Sequence, residues 1–194
     1  MRKIDNDRIY CRRITSSAGV IEIRGDEHCL MEIRFVRPGT AEKDKETNCD
    51  SSTPALDRAV EFFNAYFNHK VPNCGMPVRL VNYDSEQGHA AAYKNDAGIL
   101  YCDVRGFSNK EIAVYEVLLQ TNFGETVTYK ELADRAGLNG ANRFAGNCMA
   151  KNRFPILIPC HRVIKSDGII GNYSGGKRIK ELLLIHETRF HCDE

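Results

Sequence analysis

No two cysteines in this chain are spaced as CxxC, no apolar run approaches the length of a membrane span, and neither an internal repeat nor a low-complexity tract interrupts it. Each absence removes a class of protein. The eight cysteines (Cys11, Cys29, Cys49, Cys74, Cys102, Cys148, Cys160 and Cys192) lack paired spacing, which suits reduced thiols better than a disulfide framework. The opening stretch MRKIDNDRIYCRRI scatters charges where a signal peptide needs an apolar core. An intracellular chain without a membrane partner is therefore expected, in the nucleus if the source is eukaryotic and otherwise in the cytoplasm. Zinc-competent side chains at Cys148, Cys160, His161, His186, His191 and Cys192 form no CxxC or HxxxH arm. The earlier group of Cys11, His28, Cys29, His69 and His89 is no better spaced, so no metal is expected. The glycine-rich GNYSGG departs from the phosphate-binding G-x-x-x-x-G-K-[ST] pattern and reads as the edge of a pocket.

What remains is a globular chain of 194 residues with a net charge of +1. That small total hides an uneven distribution. Between Tyr129 and Lys180 stand ten basic residues against three acidic ones, enough for a phosphate-facing surface as well as for a plain solvated face.

The order of patterns predicts an α+β fold in two parts. GVIEIRGDEHCLMEIRFV reads as a hairpin, with Met31, Ile33 and Phe35 on one face and Glu32 and Arg34 on the other. RPGTAEKDKETNCDSSTP, from Arg37 to Pro54, is a long polar loop. Leu56, Ala59, Val60, Phe63 and Phe67 then repeat at helical spacing. MPVRLVNY and GILYCDV are further strands, separated by a polar stretch from Asp84 to Ala97, and this first unit ends near Arg105.

Helices dominate afterwards. Ser108 with Glu111 and Thr128 with Glu131 are capping boxes that open two helices. Gly137 closes the second, a Leu-Asn-Gly turn follows, and another helix starts at about Ala141, which is the outline of a helix-turn-helix. Ala141, Ala145, Gly146 and Ala150 leave that last helix little to pack, so something approaches its backbone closely: a neighbouring helix, or a nucleic acid met by Arg143. PILI reads as a buried strand, VIKSDGII as a hairpin around Asp-Gly, and KRIKELLLIHE as a terminal helix.

Between these lies Pro-Cys-His. Adjacent side chains do not face each other on a strand or a helix, so the pair Cys160 and His161 is not by itself a dyad. Pro159 favours a helical turn that would place Cys160 at its N-terminus, and His161 could then act through water if a third group fixed its tautomer. Glu187, following an apolar face in an otherwise basic half, is the acid for that role. Taken alone, the pattern leaves both a reactive and an inert buried Cys160 open.

VTYKELADRAG, ANRFAGNCMAKN, ILIPCHRVI, GIIGNYSGG and ELLLIHE, in this order, resemble the O6-alkylguanine-DNA alkyltransferase family over about Phe123 to Glu187. The resemblance implies a small ribonuclease H-like N-terminal domain (1–105) and a C-terminal alkyltransferase domain (106–194) with a helix-turn-helix. It implies a monomer that flips O6-alkylguanine out of double-stranded DNA. The alkyl group then passes irreversibly to Cys160, once per molecule and without a cofactor. His161, Glu187 and Tyr129 would complete the catalytic set, and Tyr129, Lys130, Asn139, Arg143 and Ser166 would meet DNA, with Arg143 filling the place of the extruded base. Met149, Val163, Tyr173 and Ser174 would line the pocket, and Asn152 would brace the turn before the cysteine. Arg153 and Phe154 stand where the family often has a proline after that asparagine, and Phe107 and Ser108 replace a commoner Gly-Thr-x-Phe-Gln pattern. The alternative function is a non-enzymatic helix-turn-helix protein that senses alkylated DNA, against which the presence of Cys160 argues.

Overall fold

In the computed structural model, which describes residues 9–36, 52–70, 78–81 and 98–189, the alternating runs form one mixed sheet. β1 (Tyr10–Ser16), β2 (Gly19–Gly25) and β3 (Leu30–Val36) make an antiparallel meander, while β5 (Leu100–Asp103) runs parallel to β3 and β4 (Val78–Val81) parallel to β5. The order across the sheet is β1-β2-β3-β5-β4. Ile21, Ile23 and Ile33 enter the core, as the hairpin alternation predicts. On the opposite face Glu22 is fully buried beneath Arg13, Arg24 and Arg34. Its register partners are Arg13 on β1 and Arg34 on β3, so the sheet itself delivers two of the three guanidinium groups. β1 is an addition to the predicted elements, because its arginines break the apolar alternation that marks a strand.

α1 (Pro54–Phe67) starts with Pro54 after Thr53, whose hydroxyl accepts from the Leu56 N–H, and lies over the sheet. Its buried face is Ala55, Leu56, Ala59, Phe62, Phe63 and Tyr66. The predicted stripe is thus rotated toward Phe62 and Tyr66, leaving Val60 and Phe67 partly buried at its edge.

Both capping boxes form, opening α2 (Asn109–Leu119) and α3 (Tyr129–Arg135). α3 ends as Gly137 enters the left-handed region at φ +72°, where glycine carries no Cβ penalty. After a short turn comes α4 (Asn142–Lys151), and α5 (Lys177–Thr188) closes the chain. β6 (Val127–Thr128) pairs in parallel with β7 (Val163–Ile164). A single apolar cluster joins Ile23, Leu56 and Phe63 to Leu118, Phe154, Cys160 and Leu183, so the sheet layer and the helices share one core. Among the described residues no helix is long and apolar enough to cross a membrane.

Two expectations are corrected. PILI is buried but is a turn, with Pro155 bridging to Ile158 and Ile156 at φ +74°. An apolar run reports burial, and here the Ile158 N–H bond to Phe154 O together with the Asn152 side chain bends the chain. The Asp-Gly turn forms, with Gly168 N–H donating to Lys165 O and Lys165 N–H to Ile169 O, but only Val163–Ile164 is a strand and its partner is β6, so no strand pair flanks the turn. Most of the Arg37 to Pro54 loop and the Asp84 to Ala97 stretch lie outside the described residues, as do Cys49, Cys74, His89, His191 and Cys192.

Candidate active site

The bend before Cys160 is closed by backbone bonds from the Ile158 N–H to Phe154 O (2.8 Å) and from the Cys160 N–H to Ile158 O (2.7 Å), and is braced by one side-chain amide. Asn152, at the end of α4, accepts from the Phe154 N–H through Oδ1 (2.9 Å), and its Nδ2 donates to Ile158 O (2.9 Å) and to Cys160 Sγ (3.0 Å). Pro159 precedes a short 3-10 turn, Cys160–Arg162, which replaces the ambiguous adjacency of the sequence with a definite arrangement. Cys160 is 2% exposed and His161 is fully buried.

His161 does not stand alone. Its Nε2 lies 2.7 Å from Glu187 Oε1, and because a carboxylate only accepts, Nε2 carries the proton and Nδ1 is the unprotonated acceptor. Nδ1 is buried and has no hydrogen-bond partner among the described residues. Glu187 also receives Arg162 through Nε (2.8 Å) and Nη2 (3.0 Å), the Tyr66 hydroxyl (2.8 Å) and the Gly124 N–H (3.2 Å). Arg162 in turn donates to Thr121 and lies 4.9 Å from the Phe123 ring centroid. A carboxylate removed from water needs such partners, and this one has them on both oxygens.

These contacts set the protonation states. Burial raises the Glu187 pKa, but His161 and Arg162 outweigh it and hold the carboxyl well below its ordinary range. Burial lowers the His161 pKa against the pull of Glu187, so the imidazole rests neutral. Burial pushes the Cys160 thiol up to about 11, opposed by the Asn152 amide and the nearby Lys180 charge. The resting sulfur is therefore a thiol beside groups that favour its anion. Lys180 is itself fully buried and donates to Val163 O.

A cavity of about 520 Å³ is lined by Tyr129, Met149, Gly171, Asn172, Tyr173 and Ser174, among others. Cys160 itself is not part of that lining, but burial and then the nearby Cys160 sulfur raise the pKa of the Tyr129 and Tyr173 phenols, which do line the cavity. Beside it, Tyr129, Lys130, Arg143, Lys165 and Ser166 line a shallow, open concavity of about 400 Å³ between the start of α3, α4 and the 165–168 turn. Tyr129 and Gly146 belong to both hollows.

Of the residues predicted for the site, Asn152–Cys160 and His161–Glu187 form two buried hydrogen-bonded pairs, and Tyr129, Met149, Tyr173 and Ser174 line the cavity. Val163 lies behind it, fully buried in β7. Lys130, Arg143 and Ser166 are exposed and meet in the basic concavity, whereas Asn139 is exposed in the turn between α3 and α4 and does not line it. Sequence reasoning missed Arg162, Thr121, Tyr66 and Lys180. The sole signal for two of them is a basic residue amid apolar neighbours, in CHRVI and RIKELL. Among the described residues no three His, Cys, Asp or Glu side chains group to hold a metal ion.

The fold and site define a mixed α/β protein that buries a cysteine and a histidine–glutamate pair in one core and carries a basic concavity on its surface. The 6-O-methylguanine DNA methyltransferase DNA binding domain matches residues 109–189. Proteins called methylated-DNA--protein-cysteine methyltransferase are similar over most of the chain. The one from Rattus norvegicus is 34% identical over 184 residues, covering 90% of this chain and 79% of its own length. The one from Mycobacterium bovis is 30% identical over 186 residues, covering 95% and 96%. The crystal structure of Mycobacterium tuberculosis OGT in complex with DNA superposes with a TM-score of 0.68 at 28% identity, covering 93% of this chain and 94% of that one. The chain belongs to the methylated-DNA--protein-cysteine methyltransferase family.

Proposed function

We propose that this protein repairs DNA by direct reversal, moving the alkyl group of an O6-alkylguanine in double-stranded DNA onto Cys160. The observation that carries the reading is the buried thiol under the Asn152 amide, followed in the chain by a neutral imidazole that Glu187 holds from α5. Nδ1 of His161 takes the thiol proton through a water molecule, Glu187 stabilises the imidazolium, and the sulfur attacks the alkyl carbon in line. The carbon–oxygen bond breaks, its electrons go to the guanine, and Tyr129 supplies the proton that the leaving base needs while Ser174 donates toward O6. The product is a thioether, which no thiol exchange reverses, so each molecule acts once.

Access to a base in a duplex requires extrusion, which costs a few kcal/mol. Arg143 fills the vacated stack, and Lys130, Ser166 and Tyr129 engage phosphates around it, with Asn139 at the flank. The pairing of α3 and α4 around a tight turn supports a helix-turn-helix, with the small residues of α4 allowing close approach to a groove. The meander followed by α1 and two parallel strands supports a ribonuclease H-like N-terminal unit ending near Arg105.

The test is to incubate the protein with a duplex containing O6-methylguanine and weigh it intact. One added methyl group, mapped to Cys160 and absent in Cys160→Ala, is expected. DNA binding without a gain in mass would overturn the transfer reaction in favour of a damage sensor.

A further inference from the structure

We infer that Tyr66, on α1 of the sheet layer, is a positioning residue for the thiol chemistry, its hydroxyl sharing Glu187 Oε1 with His161 Nε2. The inference rests on the proposed transfer to Cys160. Tyr66 is fully buried, its hydroxyl is 2.8 Å from Oε1, and His161 Nε2 reaches the same oxygen at 2.7 Å. The tyrosine is gripped from three sides. His186 Nε2 donates to its backbone oxygen at 2.9 Å, its ring packs edge-on against Phe67 at 5.0 Å, and Phe123 lies 5.7 Å away. Phe123 in turn lies beneath the Arg162 guanidinium. Such a clamp fixes where Oε1 sits, and with it the orientation of the imidazole.

A phenol that donates to a carboxylate withdraws charge from the oxygen it touches, so less remains to stabilise an imidazolium at that oxygen. Tyr66 therefore holds His161 on the neutral side, with the proton on Nε2 and Nδ1 open. The other charged or titratable groups around the pair are Arg162 on both carboxylate oxygens, Lys180 and Cys160 on the thiol side, Tyr173, and His186 one residue before Glu187. All but Tyr66 come from the C-terminal half. The sheet layer thus completes the proton-transfer centre as well as packing against it.

The experiment measures benzyl transfer from free O6-benzylguanine to the full chain as a function of pH, which leaves DNA binding aside. In Tyr66→Phe the acidic limb of the rate profile should move up by roughly half a pH unit, because the imidazole is then easier to protonate. Site-specific replacement of Tyr66 by a fluorinated tyrosine, a stronger donor of nearly unchanged shape, should move it down. It also keeps the test open if the phenylalanine variant does not fold. Profiles that superpose on the parent's, or shift the same way for both changes, overturn the positioning role. If the parent itself takes up no benzyl group, the transfer reading fails first and this inference falls with it.

Discussion

Asn152 Nδ2 lies 3.0 Å from the Cys160 sulfur while the same nitrogen holds Ile158 O at 2.9 Å. One side chain thereby braces the buried turn and solvates the thiol that the turn presents. Folding and reactivity are coupled at this point, since moving the amide alters both.

Replacing Asn152 by alanine orphans the buried Phe154 N–H and removes one of the two donors to Ile158 O, which keeps the Cys160 N–H. Leaving such a donor unpaired costs about 1–3 kcal/mol, so the urea midpoint should fall clearly and alkyl transfer should slow by at least about tenfold. Asn152→Asp keeps an acceptor for Phe154 but sets negative charge beside the sulfur. Its transfer rate should fall further relative to its loss of stability, and equal ratios in the two variants would separate the amide from the thiol chemistry.

Arg143 is exposed on α4 and lines the basic concavity, not the larger cavity. Arg143→Ala should therefore leave thermal stability and the reaction with free O6-benzylguanine within about twofold of the parent. Repair of an O6-methylguanine duplex should drop by roughly 10- to 100-fold, the scale of losing one or two good contacts to DNA. Equal losses on both substrates would remove Arg143 from base extrusion.

The parts of this arrangement that were legible in sequence are the local ones. The Ser108–Glu111 and Thr128–Glu131 boxes span four residues each, and both form. The apolar run at 155–158 announced burial but not its backbone, because a strand and a buried turn look alike when periodicity is absent. Glu187 could be chosen as the partner of His161 since few acids were available. Tyr66 could not, because it meets Glu187 across 121 residues and carries no local mark of that contact. Lys180 and Arg162 look like surface charges until the fold closes water away from them.

Two glycines bracket Tyr129 and make unequal predictions. A Cβ on Gly171 would come 2.7 Å from the Tyr129 hydroxyl, whereas one on Gly146 would meet the ring at an ordinary 3.9 Å. Gly171→Ala should displace the phenol and slow transfer from duplex and free base alike. Gly146→Ala should stabilise α4 by up to about 1 kcal/mol and leave the free-base reaction unchanged. If the small face of α4 admits DNA, Gly146→Ala will nonetheless weaken duplex binding, measurable by fluorescence anisotropy.

Acid should destabilise this protein in two steps. His161 has its pKa lowered by burial, so the unfolded chain binds a proton near the ordinary value of 6.5 when the native imidazole does not. Stability rises with pH wherever the unfolded state holds more protons, so this contribution is complete above about pH 6.5 and is lost as pH falls. Glu187, Glu22 and Glu111 follow the same sign at lower pH. Cationic and hydrogen-bonding partners hold each carboxyl below its ordinary 4.5: His161 and Arg162 for Glu187, the arginines for Glu22, and Lys151 with Ser108 for Glu111, at about 2. Their contribution is full above pH 4.5 and declines below it as the unfolded chain takes up protons first. Urea midpoints at pH 7, 5.5 and 4 should fall in that order. Glu111→Gln, which removes one of the two carboxylates of this set that lie outside the thiol site, should show a shallower fall below pH 4.5. A midpoint that holds or rises on acidification would mean that these buried groups are protonated in the native state.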